Sequence, residues 1–413
     1  MHYIRLLRPP GIRVQEDSMQ AQLVFTITTD LGESFLCPEK AIDLVVTAHV
    51  TSLSGNSSCL LTRRGSLQWK AGRRVCKPVF EFPRMIQQAF MYGDTVELCI
   101  SPDSDLSGDE VHSILNSSIK HPTQHANGLI VPVWVGMNGP EVDSDMSIRR
   151  IRLTAPTEPA QFLEIQEEIG ESIARHIWDA GVVSLCAIVG AYKFPNLETS
   201  QHPCMKKLLS ILNNKDGVSV LELGCGVGIL GIGLCAVYPR DTGECTILMT
   251  DLKEAEGRVL SNMGLLQQLR SGSDLGYAQV MYQNLDWNEA QYGGFRGQIQ
   301  YRRWDLVMLS DCTYNVDTLP ALVGTLSAIH RANLEFTADD EVFSTKVFVA
   351  TKPRHASERS FFDLMAAEGW TREEKLVLSL PVLGGECESV EMYLFEKAKA
   401  QTVDAVRSSL KLV

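Results

Sequence analysis

The segment from Val218 to Gly231 constrains the fold more than any other part of this chain. It reads Val-Ser-Val-Leu-Glu-Leu-Gly-Cys-Gly-Val-Gly-Ile-Leu-Gly, an apolar run that enters three spaced glycines and then a second apolar run. Val218–Leu223 has the composition of a buried strand, and the apolar residues after Gly228 recur at helical spacing. Glycine lacks a Cβ and tolerates positive φ, so such a turn lets the backbone approach a ligand, and the helix amides point at the same place. The segment predicts a ligand-binding strand–turn–helix unit.

Two kinds of ligand suit this turn, and a tight turn without a ligand is the alternative. Gly226-x-Gly228-x-x-Gly231 spells the dinucleotide fingerprint, with the carboxylate of Asp251 at a plausible distance downstream. Glu222, however, stands two residues before Gly224, where a carboxylate would repel a pyrophosphate. The same carboxylate can hydrogen-bond the turn or help to hold a ligand that carries an ammonium and a sulfonium. Glu222 therefore favours S-adenosylmethionine.

Local patterns predict two domains and a tail. Residues 1–155 contain short alternating runs between turn-rich segments, which predicts a β-rich sandwich or barrel-like domain that stabilises the protein or docks a substrate. Within it, residues 101–128 are polar and are expected to form a long mobile loop. In residues 156–400 we expect a helix from Glu164 and then strands alternating with helices, closed by a late hairpin at 376–378 and 389–395. This alternation predicts an α/β, Rossmann-like parallel sheet, with 401–413 as a C-terminal tail.

Composition restricts the partners and the location of the chain. A net charge of −12 and the expected lack of a basic stripe argue against a nucleic-acid partner. The eleven cysteines are scattered without a Cys-x-x-Cys pair, which fits reduced thiols in the cytoplasm or nucleus. His121 and His125 have no cysteine pair nearby, so no metal site is expected. No apolar run approaches the ~20 residues of a membrane span, and the first ten residues lack the apolar core of a signal peptide. We expect a cytoplasmic or nuclear monomer.

Polar and aromatic residues follow four of the predicted strands. Ligands of open parallel sheets bind at the carboxyl ends of the strands, so these residues should meet. Asp251 is expected to accept hydrogen bonds from both ribose hydroxyls of a cofactor, or to cap the next helix. Asp286 or Trp287 would flank the adenine ring. Trp178 either closes the pocket from the preceding helix or belongs to the core.

Asp311 and Tyr314 form the candidate acceptor site at the end of the fourth strand. A carboxylate followed three residues later by an aromatic ring can hold an alkylammonium through a charge-assisted hydrogen bond and a cation–π contact. Desolvation beside a sulfonium would lower the pKa of a lysine amine and favour its nucleophilic form. Catalysis would then consist mostly of alignment. Alternatively, Asp311 caps the next helix and Tyr314 only packs.

These motifs together resemble the eukaryotic family 16 seven-β-strand protein-lysine methyltransferases, which act on chaperones and translation elongation factors. The resemblance covers about residues 164–396, and the closing antiparallel pair resembles the sheet of S-adenosylmethionine-dependent methyltransferases. Its motifs are Trp178-Asp-Ala, Glu222–Gly228, Leu285-Asp-Trp287, Asp311-Cys-Thr-Tyr314, Lys352-Pro-Arg-His355 and Phe361-Phe362.

The resemblance implies a complete set of site residues. Asp311 and Tyr314 would be catalytic. The S-adenosylmethionine shell would comprise Trp178, Glu222, Gly224, Cys225, Gly226, Gly228, Asp251, Trp287 and Ser310. We therefore predict a protein-lysine N-methyltransferase, and the long N-terminal extension favours an elongation factor as its substrate. The alternatives are a methyltransferase for a small amine or a nucleic acid, and an inactive fold that serves as a binding module.

Overall fold

The computed structural model describes most of the chain. The predicted tail at 401–413 and the pair His121 and His125 lie outside the described residues. No helix within the described part is both long and apolar enough to cross a membrane. The described residues are 1–15, 18–103, 105–119, 128–138, 145–170, 175–239, 242–270, 278–338 and 343–398.

The first part of the chain is β-rich, as predicted. Its helices are α1 (Arg84–Tyr92) and α2 (Val111–Ile119). Its strands are β1 (His2–Leu6), β2 (Gly11–Gln15), β3 (Ser18–Gln22), β4 (Phe25–Thr29), β5 (Ile42–Ser52), β6 (Gly55–Leu60), β7 (Gln68–Trp69), β8 (Val79–Glu81), β9 (Thr95–Pro102), β10 (Ile130–Val131), β11 (Val133–Gly136), β12 (Met146–Arg152) and β13 (Phe162–Glu168).

These strands form one large sheet and two small ones. The large sheet has the order β13-β12-β11-β9-β5-β6, and β7 pairs with β5 outside this path. The small sheets have the orders β10-β1-β4 and β2-β3-β8. Every second residue of β5, from Ile42 to Val50, is buried, so one face of the large sheet lies on a core.

Strand β13 corrects the prediction of a helix that begins at Glu164. The strand pairs antiparallel with β12 along its whole length. Its buried residues include Leu163, Ile165 and Glu167, which share one face. Glu167 is buried because the Nε of Arg149 donates to its Oε1 at 2.6 Å. The sequence analysis missed the alternation of buried and exposed residues because the buried position 167 holds a charged glutamate. The isoleucines from Ile165 to Ile177, which are spaced by four, favoured a helix instead.

Helix α2 corrects part of the loop predicted at 101–128. Val111, Ile114 and Leu115 are fully buried. They belong to the same apolar cluster as residues of the second part of the chain, such as Val220 and Leu230. Their spacing is that of one helix face. The polar residues between them, among them His112 and Asn116, hid this short apolar stripe.

The remainder of the chain forms a seven-stranded sheet with helices, as predicted. The helices are α3 (Asp179–Lys193), α4 (Glu198–Gln201), α5 (Pro203–Leu212), α6 (Ile229–Val237), α7 (Lys253–Arg270), α8 (Trp287–Ala290), α9 (Leu319–Glu335) and α10 (Ser360–Ala367). The strands are β14 (Val218–Leu223), β15 (Cys245–Asp251), β16 (Ala278–Asn284), β17 (Leu306–Ser310), β18 (Ser344–Thr351), β19 (Thr371–Leu380) and β20 (Glu388–Ala398).

The strand order of this sheet is β16-β15-β14-β17-β18-β20-β19. The first five strands in this order are parallel, whereas β20 lies antiparallel between β18 and β19. The order reverses at β14, and ligands of parallel sheets bind at such a reversal. The fold is therefore the Rossmann-like seven-stranded arrangement of S-adenosylmethionine-dependent methyltransferases.

The two parts of the chain share one apolar cluster. Tyr3, Ile151 and Leu163 from the N-terminal sheets belong to the same cluster as Ile188 and Leu230 from the second part. Strand β13 also extends the large N-terminal sheet past residue 155. The division of the chain at residue 155 stays a prediction.

Candidate active site

A cavity of about 250 Å³ lies where β14, β15 and β17 end. It brings together most of the predicted site residues from the predicted strand ends and from the segment before α3. Glu222 and Gly228 do not line the cavity but lie behind the residues that do. The predicted residues that line it are Trp178, Gly224, Cys225, Gly226, Asp251, Asp286, Trp287, Ser310, Asp311 and Tyr314.

The glycine turn needs glycine for geometric reasons. Gly224, Gly226 and Gly228 have φ values of 65°, 55° and 85°, which lie in the left-handed region. A Cβ on Gly224 would stand 2.6 Å from the Sγ of Cys312 and 3.1 Å from the Cζ2 of Trp287. A Cβ on Gly228 would stand 2.9 Å from Ile232. The turn can thus pass close to the cavity only without side chains at Gly224 and Gly228.

Glu222 holds the turn from inside the protein. It is 1% exposed, and its Oε2 accepts a hydrogen bond from the backbone N–H of Gly231 at 2.9 Å. Burial raises the pKa of Glu222, the Gly231 amide lowers it and the nearby Asp251 raises it, which together place it at about 8. Of the two roles foreseen for this side chain, the structure shows the bond to the turn.

Replacing Glu222 with glutamine should make stability less dependent on pH. A carboxyl with a raised pKa stabilises the fold fully below its unfolded pKa, and this contribution is lost as pH rises through the folded pKa. For a pKa of about 8 against an ordinary 4.5, the loss is on the order of 5 kcal/mol at most. Between about pH 5 and about pH 9 the melting temperature of wild type should therefore fall more than that of Glu222→Gln. The variant should be more stable relative to wild type at the higher pH than at the lower one.

The exposed Glu39 provides the matched control for this measurement. Glu39→Gln should follow the wild-type curve at both pH values. Parallel curves for wild type and Glu222→Gln would contradict the raised pKa of the buried carboxyl.

Asp251 ties the end of β15 to the glycine turn. Its Oδ2 accepts from the N–H of Gly226 at 2.7 Å, and its Oδ1 accepts from the N–H of Leu252 at 2.7 Å. Burial raises the pKa of Asp251, and these two amides oppose the rise. Each carboxylate oxygen has a second lone pair, so both can still accept a hydroxyl from the cavity side.

Aromatic side chains form two walls of the cavity. The rings of Trp178 and Tyr314 stack with centroids 6.0 Å apart and planes inclined by 15°. Trp287 lies against Gly224 on the cavity wall. Asp286, the other candidate for the adenine wall, caps α8 by accepting from the N–H of Asn288 at 2.8 Å. The indole of Trp287 is therefore the flat surface at this position.

Asp311 has a strained backbone and a carboxylate with three donors. Its φ of 51° is the one positive value among the described non-glycine residues. Its Oδ2 accepts from the N–H of Ala180 at 2.8 Å. Its Oδ1 accepts from the N–H of Lys352 at 3.2 Å and from the Nη1 of Arg354 at 2.9 Å. Burial raises the pKa of Asp311, whereas Arg354 lowers it.

The alternative that Asp311 caps the next helix along the chain is wrong, since its carboxylate accepts instead from the N–H of Ala180 in the first turn of α3. Asn315 instead caps the short 3-10 turn that precedes α9, by accepting from the N–H of Asp317 at 3.2 Å. The carboxylate of Asp311 faces the start of α3 and the segment after β18. Among the described residues Ala180 alone donates to its Oδ2, which leaves one lone pair of that atom open within this part of the chain.

A buried ion cluster behind Asp311 escaped the sequence analysis. Its centre consists of Asp30, Asp179, Lys352 and Arg354, while the N-terminal ammonium of Met1 pairs with Asp179 and Glu388 pairs with Lys352. The Nζ of Lys352 lies 3.0 Å from Asp30 and 2.8 Å from Asp179, and the Nη2 of Arg354 lies 2.7 Å from Asp30. Although burial alone would lower it, these carboxylates raise the pKa of Lys352. The Lys352-Pro-Arg-His355 motif and the Trp-Asp pair at 178 and 179 contained a signal for three of these residues, but nothing in the sequence marked Asp30.

Smaller parts of the cavity wall were also missed. Val227, Leu285 and Cys312 lie inside the predicted motifs but were not assigned to the site, and the others are single residues of types too common to stand out in a sequence. The missed residues are His176, Gly181, Val227, Ile229, Leu252, Leu285, Asn288, Cys312, Asn315, Thr318 and Ala321.

Comparisons with known proteins give one family and one relative over most of the chain. The model of a family described as lysine methyltransferase, Methyltransf_16, matches residues 157–368. A UPF0665 family protein of Schizosaccharomyces pombe is 27% identical over 371 residues, which cover 89% of this chain and 93% of that protein.

Two solved structures illustrate the more distant likenesses. A SAM-dependent methyltransferase of Methanosarcina mazei is 10% identical with a TM-score of 0.30, over 46% of this chain and 96% of that one. A SAM-dependent methyltransferase of Aquifex aeolicus is 12% identical with a TM-score of 0.28, over 51% of this chain and 97% of that one. At these TM-scores the assignment of the fold rests on the strand order of the chain itself.

Proposed function

Because the chain belongs to the lysine methyltransferase family, we propose that it transfers a methyl group to the ε-amine of a lysine in a specific protein. Family membership makes it a methyltransferase with S-adenosylmethionine as methyl donor. The identity of the acceptor as a lysine of a protein goes beyond what family membership shows and is our proposal. Among protein acceptors we propose an elongation factor first and a chaperone second, on the strength of the motif resemblance and the long N-terminal extension.

The residues of the cavity suit S-adenosylmethionine. The clearest sign is Gly224, where the space that a Cβ would need is already filled by Cys312 and Trp287, so the backbone itself forms the cradle. We assign the amino-acid end of the cofactor to the Gly224–Gly226 turn, its ribose to Asp251 and its adenine to Trp287. Bound there, the cofactor supplies an electrophilic methyl group.

The pair Asp311 and Tyr314 carries the proposal for a lysine acceptor. The open lone pair on the Oδ2 of Asp311 can accept a hydrogen bond from an amine at the cavity wall. The stacked rings of Tyr314 and Trp178 offer apolar faces along which a lysine side chain can lie. Together these groups can orient a nitrogen toward the cofactor.

The charge beside Asp311 favours the reactive form of the amine. A free lysine has a pKa near 10.4 and is almost entirely protonated at neutral pH. The guanidinium of Arg354 already lies 2.9 Å from the Oδ1 of Asp311 and offsets its charge. A second cation is therefore disfavoured, and desolvation acts in the same direction. The amine can lose its proton to water before transfer.

Methyl transfer from labelled S-adenosylmethionine into a lysate tests the proposal. The lysate should come from cells that lack this protein, and it should be divided into untreated, RNase-treated and protease-treated portions. We expect label in one or a few protein bands that resists RNase and is recovered as methyllysine after hydrolysis. Label in a small molecule, or the absence of label from protein despite proven binding of S-adenosylhomocysteine, would contradict a protein acceptor.

A second acceptor class has one observation in its favour. The expectation that the chain carries no basic stripe is wrong, because residues 61–78 contain six cations and no acidic residue. All six side chains are exposed: Arg63, Arg64, Lys70, Arg73, Arg74 and Lys77. Exposed cations of this density can contact nucleic-acid phosphates. RNase-sensitive label in the same experiment would favour a nucleic-acid acceptor.

A further inference from the structure

We propose that Asp30, which follows β4 in the N-terminal part, is a positioning residue for the acceptor site and acts through Arg354 on Asp311. This inference rests on the acceptor role proposed above for Asp311. Asp30 does not line the cavity, so it cannot touch an acceptor that is bound there. Its effect must be transmitted through its hydrogen-bond partners.

A single guanidinium connects the two carboxylates. The Nη2 of Arg354 lies 2.7 Å from the Oδ2 of Asp30, and its Nη1 lies 2.9 Å from the Oδ1 of Asp311. The side chains of Arg354, Asp30 and Asp311 are 8%, 1% and 4% exposed, so water does not screen these pairs. Because the guanidinium is planar and rigid, fixing one end of it also orients the other.

Asp30 also holds the segment that carries Trp178. Its Oδ2 accepts from the backbone N–H of Asp179 at 3.2 Å, directly after Trp178. Its Oδ1 accepts from the Nζ of Lys352 at 3.0 Å. One carboxylate thus links the start of α3 to the segment after β18, and Asp311 bonds to both of these segments as well.

The small β10-β1-β4 sheet determines where Asp30 lies. Strand β4 ends just before this residue and pairs with β1 along its length. The Nη2 of Arg5, on β1, donates to the carbonyl of Asp30 at 2.6 Å. The N-terminal part therefore contributes a fixed anion to the acceptor site, in addition to any part it takes in docking a substrate.

The variant Asp30→Asn tests this link. Asparagine keeps the shape of the side chain but removes its charge and replaces one acceptor oxygen with a donor, so Arg354 and the amide of Asp179 lose a partner. We expect faster hydrogen exchange in peptides that cover 309–316 and 350–356. Peptides that cover 218–228 should exchange at the wild-type rate. The labelling rate in the lysate assay should fall at least about 10-fold, with S-adenosylhomocysteine affinity within about 3-fold of wild type.

The matched control is Asp43→Asn on β5. Asp43 is a partly buried carboxylate of the N-terminal sheet that accepts from the Nε2 of Gln68 at 2.7 Å, and within the described residues no ion pair joins it to the ion cluster. It should leave both the exchange pattern and the labelling rate unchanged. Unchanged exchange in Asp30→Asn, or an equal effect of Asp43→Asn, would overturn the proposal.

Arg354→Lys provides a second variant, because one ammonium cannot reproduce two parallel contacts to separate carboxylates. We expect the same local exchange and a similar loss of labelling. The double variant Asp30→Asn/Arg354→Lys should label less than about 2-fold more slowly than Arg354→Lys alone. Both substitutions disrupt the same chain of contacts from Asp30 through Arg354 to Asp311, so their effects should not add. Full additivity would indicate that Asp30 acts independently of Arg354.

Hydrogen exchange and labelling distinguish a failure of the proposed function from a failure of the positioning role. If wild type labels no protein, the proposed function fails, while exchange at 309–316 still decides whether Asp30 positions that segment. If wild type labels protein and Asp30→Asn labels it equally fast, only the positioning role fails. If Asp30→Asn does not fold, the result for Arg354→Lys decides.

Discussion

Replacing Asp311 with alanine should abolish methyl transfer while leaving the cofactor bound. The change removes the carboxylate that faces the acceptor and leaves the N–H of Ala180 and the N–H of Lys352 without their acceptor, while Arg354 loses its contact with Asp311 and keeps the one with Asp30. A misplacement of about 1 Å can cost about 100-fold in rate, so we expect a loss of at least that size. Labelling of the target band measures transfer, and calorimetry with S-adenosylhomocysteine measures cofactor binding.

Two further variants make this result specific. Asp311→Asn should lose activity almost as severely while folding well, because asparagine tolerates positive φ. Asp317→Ala changes an exposed carboxylate in the same loop and should remain active. If cofactor affinity falls together with transfer, Asp311 supports the cofactor pocket and its acceptor role loses its basis.

Replacing Gly224 with alanine should abolish cofactor binding. The added Cβ would stand 2.6 Å from the Sγ of Cys312, in a residue whose φ is 65°. Cys312 is 5% exposed and its Sγ donates a hydrogen bond to the carbonyl of Leu223 at 3.3 Å, so the turn or the Trp287 wall must shift to make room for the Cβ. We expect the affinity for S-adenosylhomocysteine to fall by at least about 100-fold, or about 3 kcal/mol.

Gly257→Ala is the matched control for this substitution. Gly257 is exposed on α7, and a Cβ there would meet nothing within 4 Å. Alanine should stabilise that helix by up to about 1 kcal/mol and leave binding unchanged. Wild-type affinity in Gly224→Ala would contradict the assignment of the glycine turn to the cofactor.

The sequence predicts the second part of the chain well because its strands are buried on both faces. Val218–Leu223 and Cys245–Asp251 are mostly apolar and buried, one followed by glycine and the other ending at aspartate, and the first has the predicted bounds. Helices between such strands leave few alternative topologies. The positions of Asp251 and Asp311 at the cavity follow from the strand ends alone.

The N-terminal part was harder to predict because its strands are short and partly polar. Strand β6 reads Gly-Asn-Ser-Ser-Cys-Leu and is mostly exposed, so its pairing with β5 rather than its own composition makes it a strand. In β13 the buried Glu167 occupied an apolar position. The ion cluster was beyond sequence reasoning, since no local pattern joins Asp30 to Arg354.

The bond between Asp30 and Arg354 spans 324 positions of the chain, which bears on when the enzyme can become active. During synthesis Asp30 leaves the ribosome long before its partners exist. Contacts of such long sequence separation form late in folding. The chain must lose much conformational entropy to close the loop before the contact contributes any favourable energy. A nascent chain that already contains the whole glycine turn would still lack Lys352 and Arg354. On the proposal that Arg354 positions Asp311, the acceptor site is therefore complete only after nearly all of the described chain has been synthesised.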